Sequence, residues 1–247
     1  IRDRCTADVT IVEAQGLPYW YDEAGSILTL SQAASMPAAT LPSGRSETLS
    51  ALKKYFPNLV MFDSVLASGF SDGSALVEVP TLMMGGAALQ SGAISIPMGG
   101  KILEENRTFA SLIGPSQKAV ISKLTEERHR VAKSFGVRNL PSPAKMIDTY
   151  GGSLRGDYSR PIPSQKMSKS LLRCGVIGSL VPLQSAGKIA NVQVPVTDAM
   201  ITLASSILGA DVSAAGRRLE AIGIDSGDID TARRAMDAIA TGEKYGR

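Results

Sequence analysis

Histidine and cysteine are scarce in this chain, with one histidine, His129, and two cysteines, Cys5 and Cys174, among 247 residues. The cysteines stand far apart and neither has a CxxC partner. That argues against a disulfide framework or a zinc site and leaves a reducing cytoplasm as the expected compartment. A surplus of one charge is lacking too. The net charge is +3, with 26 lysines and arginines scattered among 23 acids, so no strong nucleic-acid footprint is present. Also missing are a GxGxxG fingerprint, a GxxxxGK(S/T) loop and an internal repeat, and no signal peptide is expected. Any nucleotide-binding turn is therefore expected outside the chain, which starts at Ile1 without a methionine and reads as a fragment or processed product.

What is present is apolar: 44% of residues are hydrophobic against 20% charged, enough to bury a core in one large domain or two modest ones. The segment Gly73 to Gly100 holds a single charge, Glu78. It invites a membrane reading, but Pro80, Pro97 and five glycines from Gly85 to Gly100 break the run. A buried helix followed by a Gly-rich turn accounts for it better, and no membrane span is expected.

The first sixty or so residues have αβ character. "VTIVEA" (Val9 to Ala14) and "SILTL" (Ser26 to Leu30) suit strands. "SETLSALKKYFP" offers Ser46 as N-cap, with Leu49, Leu52 and Phe56 on one face and Pro57 closing the helix. Beyond about Phe62 the periodicity is helical. Val120, Leu124, Val131 and Phe135 share one face of a helix that Gly136 stops. Met200, Leu203, Ala204, Ile207 and Leu208 keep the spacing of a buried stripe, with Gly209 after it. In "DTARRAMDAIATGE", Asp230 reads as N-cap, and Ala232, Ala235, Met236 and Ile239 face inward. A boundary is expected near Phe62, with Val65 to Ser74 as the connection.

"LVPLQSAGKIANVQVPVTDAM" (Leu180 to Met200) carries Pro182 and Pro195, each at the mouth of a helical pattern. With the flanking "GRRLEAIGI", it resembles the C-terminal helical domain of the opine dehydrogenases, the octopine/nopaline dehydrogenase family. "VTIVEAQGLPYWYD" is similar to that family's strand and Glu-x-x-x-Leu-Pro-Tyr segment near the end of its dinucleotide-binding domain. "SMPAATLP" and "LKKYFPN" follow in the expected places, and "DSVLASGFSDGSALVEVPTLMMGGAAL" resembles the entry to the helical domain.

The resemblance implies a mostly α fold. Residues 1–62 would be the trailing part of an α/β Rossmann domain and residues 63–247 an all-helical substrate and dimerisation domain. It implies NAD or NADP as cofactor, with Glu13 and Pro18 on the cofactor side. It implies small-molecule partners, an amino acid and a 2-oxo acid, joined by hydride reduction of their imine, and leaves a homodimer open.

Both members of the family's His–Asp proton-transfer dyad are missing. Glu78 stands where the His belongs and Gly85 where an Asn belongs. Lys169 falls at the family's Arg, and the Asp falls on Cys174 or Gly175. Glu78 could replace the His if its apolar neighbours Val77, Val79 and Leu82 raised its pKa; otherwise it caps or pairs with a lysine at a domain edge. Lys169 and Arg173, four apart, share a helical face and could clamp a carboxylate, or be two surface cations. Tyr150 resembles a family Tyr near the cleft, or is a packed Tyr with a wet hydroxyl. His129, roughly 180° from Val120 on its helix, reads as a solvated surface residue, and Cys174 as a small buried one.

Two rivals remain. One is a related dehydrogenase acting on a 2-oxo acid or polyol, and the other a non-catalytic helical binding or dimerisation module. Without a glycine-rich turn, this chain alone is expected to bind NAD(H) and NADP(H) poorly. A calorimetric titration giving low-micromolar affinity for either would contradict that.

Overall fold

The computed structural model describes residues 9–16, 18–24, 26–32, 35–85, 108–150, 162–224 and 228–241. Two compact units are present, Ile1–Asp72 with Asp230–Arg247, and Gly73–Ile229.

The sheet unit runs β1 (Ile11–Ala14), β2 (Tyr19–Ala24), β3 (Ile27–Gln32), β4 (Met36–Leu41), α1 (Ser46–Lys53), β5 (Leu59–Met61) and α2 (Val65–Ser71). The three-stranded sheet has the order β1-β4-β5. β1 pairs antiparallel to β4, with Ile11 opposite Leu41, and β5 pairs parallel to β4, with α1 as the crossover between them. β2 and β3 form a separate antiparallel hairpin. β4 is the central strand, and its Ala38 and Ala39 are fully buried. Met36, Ala38, Leu49 and Leu59 form the core, with Val12, Leu52 and Phe56 packed against it.

The strands expected from "VTIVEA" and "SILTL" are present within two residues of their expected ends. β2, β4 and β5 were not legible. β4 reads Met-Pro-Ala-Ala-Thr-Leu, with little β-propensity; it is a strand because both its edges are hydrogen-bonded. Ser46 lies inside α1, whose N-cap is Arg45.

The helical unit comprises α3 (Ser74–Met84), α4 (Pro115–Ser134), α5 (Pro143–Tyr150), α6 (Gln165–Gly175), α7 (Val181–Ile189) and α8 (Pro195–Leu208), with 3-10 turns at Phe109–Leu112 and Leu219–Ile222. Among the described residues no strand element follows β5. α9 (Ile229–Thr241) returns to the sheet unit, where the Ser43 N–H donates to the Ala240 carbonyl at 2.6 Å. Asp230 is thus inside the first turn of α9 rather than its N-cap, while Ala232 and Ala235 are buried as expected.

The compact units do not divide after residue 62. α2 stays with the sheet because it packs on β4, and the last helix rejoins it. The Gly-rich turn expected before Gly100 lies outside the described residues, apart from Gly85 at the end of α3. Among the described residues no helix is long and apolar enough to cross a membrane.

Pro182 stands at the second position of α7, as expected, but α7 follows α6 without a break. α6 and α7 are joined through a π-turn, Val176–Leu180, in which the Val181 N–H donates to the Val176 carbonyl. A proline lacks the N–H and crowds the carbonyl four residues back in a regular helix, and a wider turn relieves both. The turn leaves the Ile177 carbonyl without a helical donor, since its π-partner would be Pro182. The Arg217 N–H takes that place at 3.1 Å. Gly216 lies so close that a Cβ there would sit 2.2 Å from Val181 Cγ1. The segment before the Leu219–Ile222 turn is therefore docked on the π-turn.

Pro195 does open a helix, at the first position of α8, where a missing N–H costs nothing. The N-cap residue, Val194, has no acceptor to offer. The carboxylate of Glu127, from α4, takes over. It accepts from the Val196 N–H at 2.8 Å, the Thr197 N–H at 2.9 Å and the Thr197 hydroxyl at 2.8 Å. Arg130, one turn on, donates to the Gln193 carbonyl at 3.3 Å. The turn before it closes α7 with Asn191 in the left-handed region (φ 52), the Val192 N–H reaching the Gly187 carbonyl at 2.8 Å.

Leu124, Val131 and Phe135 of α4 are buried as expected and Val120 is half-buried, but Glu127 and Arg128 are buried as well. The stripe on α8 is displaced: Thr197, Met200, Ile201 and Ala204 are buried, while Leu203 and Ile207 are 50% and 42% exposed. Thr197 must face Glu127, and that turns Leu203 and Ile207 to the side. Gly136 and Gly209 end their helices at positive φ, as expected.

Glu127→Ala would strand two helix-terminal N–H groups and a buried hydroxyl. Stability should fall by about 2–4 kcal/mol, with Glu127→Gln intermediate, as measured by urea denaturation.

Candidate functional site

On α6, Ser164 caps the helix by accepting from the Met167 N–H at 3.3 Å, and Ser168 and Leu172 turn inward. That orientation puts Lys169 and Arg173 together on the exposed face. With Ser170 they form one wall of a shallow groove of about 290 Å³, whose other wall is Ile207 and Leu208 of α8. No acid lines it among the described residues. The groove can hold an anion against the cations with aliphatic surface opposite.

The sequence singled out the two cations but placed Ile207 and Leu208 in the core. Their helical spacing is indistinguishable from core spacing; only the Glu127 cap, formed across 69–70 residues, decides which way α8 faces.

Glu78 is half-buried on α3 between the fully buried Val77 and Val79, and it does not line the groove. Tyr150 is half-buried at the end of α5. Pro18, in the sheet unit, accepts at its carbonyl from Asn58 Nδ2 at 3.2 Å. Glu13, on β1, accepts at Oε1 from Gln15 Nε2 at 2.6 Å. Burial pushes the Glu13 carboxyl above its ordinary pKa, the Ser68 hydroxyl draws it partly back, and the Asp72 charge raises it further.

Two surface assignments are corrected. Cys174 is exposed, not buried, because the inward positions of α6 are taken by Ser168 and Leu172. His129 is half-buried rather than solvated, its Nε2 lying 3.2 Å from the Pro141 carbonyl. Among the described residues no three His, Cys, Asp or Glu side chains gather as a metal site.

No protein-family model matches the chain. An opine dehydrogenase of Arthrobacter sp. (strain 1C) is 24% identical over 237 residues, which cover 91% of this chain and 63% of that protein. The chain is related to the opine dehydrogenases. A solved octopine dehydrogenase with NADH and pyruvate superimposes with a TM-score of 0.60 at 14% identity, over 96% of this chain and 65% of that one. Octopine dehydrogenase with NADH and agmatine gives 0.59 over 96% and 66% at 14% identity, and with NADH and L-arginine 0.56 over 96% and 66% at 16% identity. The chain thus spans just under two thirds of these relatives. The fold is that of the helical opine-dehydrogenase domain preceded by the trailing part of a Rossmann domain.

At Cys174 and Gly175, where the sequence resemblance sets the family's Asp, no carboxylate stands. Gly175 lies against α3, where a Cβ would meet Val79 Cγ2 at 3.0 Å and Ala75 Cβ at 3.3 Å, so a larger side chain there requires its neighbours to give by a few tenths of an ångström. Cys174 faces solvent. Neither described strand-to-helix turn of the sheet unit fits a pyrophosphate. The first turn of α1 carries Glu47, and the entry to α2 is filled by the Ser64 hydroxyl accepting from the Ala67 N–H at 3.1 Å.

His129 gives a pH test. Burial first, then the Arg128 charge, lower its pKa, against a smaller upward pull from the Pro141 carbonyl. A depressed folded pKa means that the stability present above about pH 6.5 is lost as pH falls toward the folded value. Glu13, with a raised pKa, has the opposite sign. The difference between wild type and His129→Asn therefore isolates the histidine. The urea midpoint of wild type should drop relative to the variant between about pH 7 and pH 5.

Proposed function

We propose that the chain is the substrate-side part of an NAD(P)-dependent opine dehydrogenase with an altered proton-transfer dyad. In that reaction class an amino acid and a 2-oxo acid lose water to form an imine. Reduction of the C=N bond by hydride from a nicotinamide, with a proton to nitrogen, gives a secondary amine bearing two carboxylates. On this reading residues 1–62, extended to Asp72 by the packing of α2, are the end of the dinucleotide-binding domain. The helical unit is the substrate domain.

The observation that carries the reading is the groove itself, which gathers Lys169 and Arg173 on one wall; the sequence resemblance sets Lys169 at the family's Arg. Two cations suit a product with two carboxylates. Arg173 can hold one in bidentate fashion and Lys169 the other as a point charge. In this scheme the Lys169 side chain also lies beside the reacting carbon. Glu78, half-buried among valines, serves as the proton donor, Tyr150 borders the substrate, and Glu13 and Pro18 lie on the cofactor side. The loss of a carboxylate at Cys174 and Gly175 favours the rival, a non-catalytic binding module, and the same experiment separates the two.

The full-length protein is assayed for nicotinamide oxidation with a panel of amino acids and 2-oxo acids, using NADH and NADPH in turn. Turnover with at least one pair is expected. Arg173→Gln should raise KM about 10–100-fold, the worth of a charge-assisted bond of about 1.5–3 kcal/mol. Glu78→Gln should lower kcat by about 10²–10⁴-fold. Absence of turnover across the panel, with carboxylates still binding, makes the chain a binding module.

A further inference from the structure

We infer that the groove between α6 and α8 selects a carboxylate carrying an aliphatic side chain and excludes a cationic one. The inference rests on the proposed function and names the substrate class of that site.

The groove has two chemically distinct walls. On α6, Lys169 and Arg173 are exposed one turn apart, with Ser170 beside them, and the exposed Lys166 lies one turn before Lys169 on the same face. The opposite wall, Ile207 and Leu208, offers no donor, acceptor or charge on its side chains. At about 290 Å³ the volume lies near the lower end for small-molecule sites, about 300–1,000 Å³, so it takes a ligand of amino-acid size rather than a nucleotide. A carboxylate on the cations directs the remainder of a small ligand across the groove, where only an aliphatic chain loses its hydration without leaving a polar group unsatisfied.

The solved octopine dehydrogenase complexes include L-arginine and agmatine. In this groove a guanidinium would meet Lys169 and Arg173 with like charge, and among the described lining residues no acid receives it. Like charges so placed discriminate strongly against a partner, so specificity here comes from repulsion as much as from fit. The exposure of Ile207, at 42%, also fits a residue that faces a ligand rather than a core.

The test follows the methyl resonances of Ile207 and Leu208 while the chain is titrated with three probes. These are 4-methyl-2-oxopentanoate, pyruvate and agmatine. The branched oxo acid should shift both residues and bind at least tenfold tighter than pyruvate, and agmatine should leave them unmoved. Ile207→Ser should weaken the branched oxo acid at least tenfold and so remove its preference over pyruvate. Ile207→Asp should weaken the branched acid at least tenfold and admit agmatine. Both variants alter a partly exposed position, and circular dichroism checks that they remain folded. Agmatine shifting the same methyls, or the branched acid binding without touching them, overturns the inference. If the groove binds no probe while the full-length protein turns over an amino acid, this inference fails and the functional reading stands. If the groove binds as described without turnover in the full-length protein, the functional reading fails and the site remains.

Discussion

The helical unit depends on a single buried carboxylate. Helix α8 begins after Val194, which has no polar side chain, so its first N–H groups need an acceptor from elsewhere. Glu127 supplies it from α4 with three hydrogen bonds of 2.8–2.9 Å. A charge that is 2% exposed is tolerable because the helix end presents partial positive charge as well as donors. The bond fixes both the position of α8 and its rotation, since Thr197 must face inward. Rotation then decides that Ile207 and Leu208 face the cations of α6. The chemistry of the groove is set by a residue that does not touch it.

A second constraint acts on the opposite wall. The π-turn between α6 and α7 lets one continuous helical rod carry Pro182, and its freed Ile177 carbonyl anchors the segment that follows α8. Gly175, just before that turn, lets α6 approach α3 so closely that a Cβ would lie 3.0 Å from Val79 Cγ2. The tight crossing that holds α6 in place thus leaves little room at Gly175, one of the two positions that the sequence resemblance pairs with the family's Asp.

Much of this was legible in the sequence and the rest was hidden for definable reasons. Helix stops at Gly136 and Gly209 were readable because a left-handed residue is a local requirement. Lys169 and Arg173 were readable as a pair because four-residue spacing fixes a shared face. The orientation of α8 was not, because apolar spacing defines a stripe but not what faces it, and the deciding contact spans about seventy residues. Glu127 itself was hidden among the charges of "TEERHR", where nothing local distinguishes a cap from a solvated acid. Strand β4 was hidden because alanines in a doubly paired strand carry no alternation.

The sheet unit is discontinuous in sequence, since α9 completes it after the whole helical unit has been traversed. During synthesis this has a temporal consequence. The strands leave the ribosome first, yet the amide of Ser43 waits for Ala240, nearly two hundred residues behind it. The helical unit can be folded before the earlier-made unit is finished, so the order of synthesis and the order of completion are reversed.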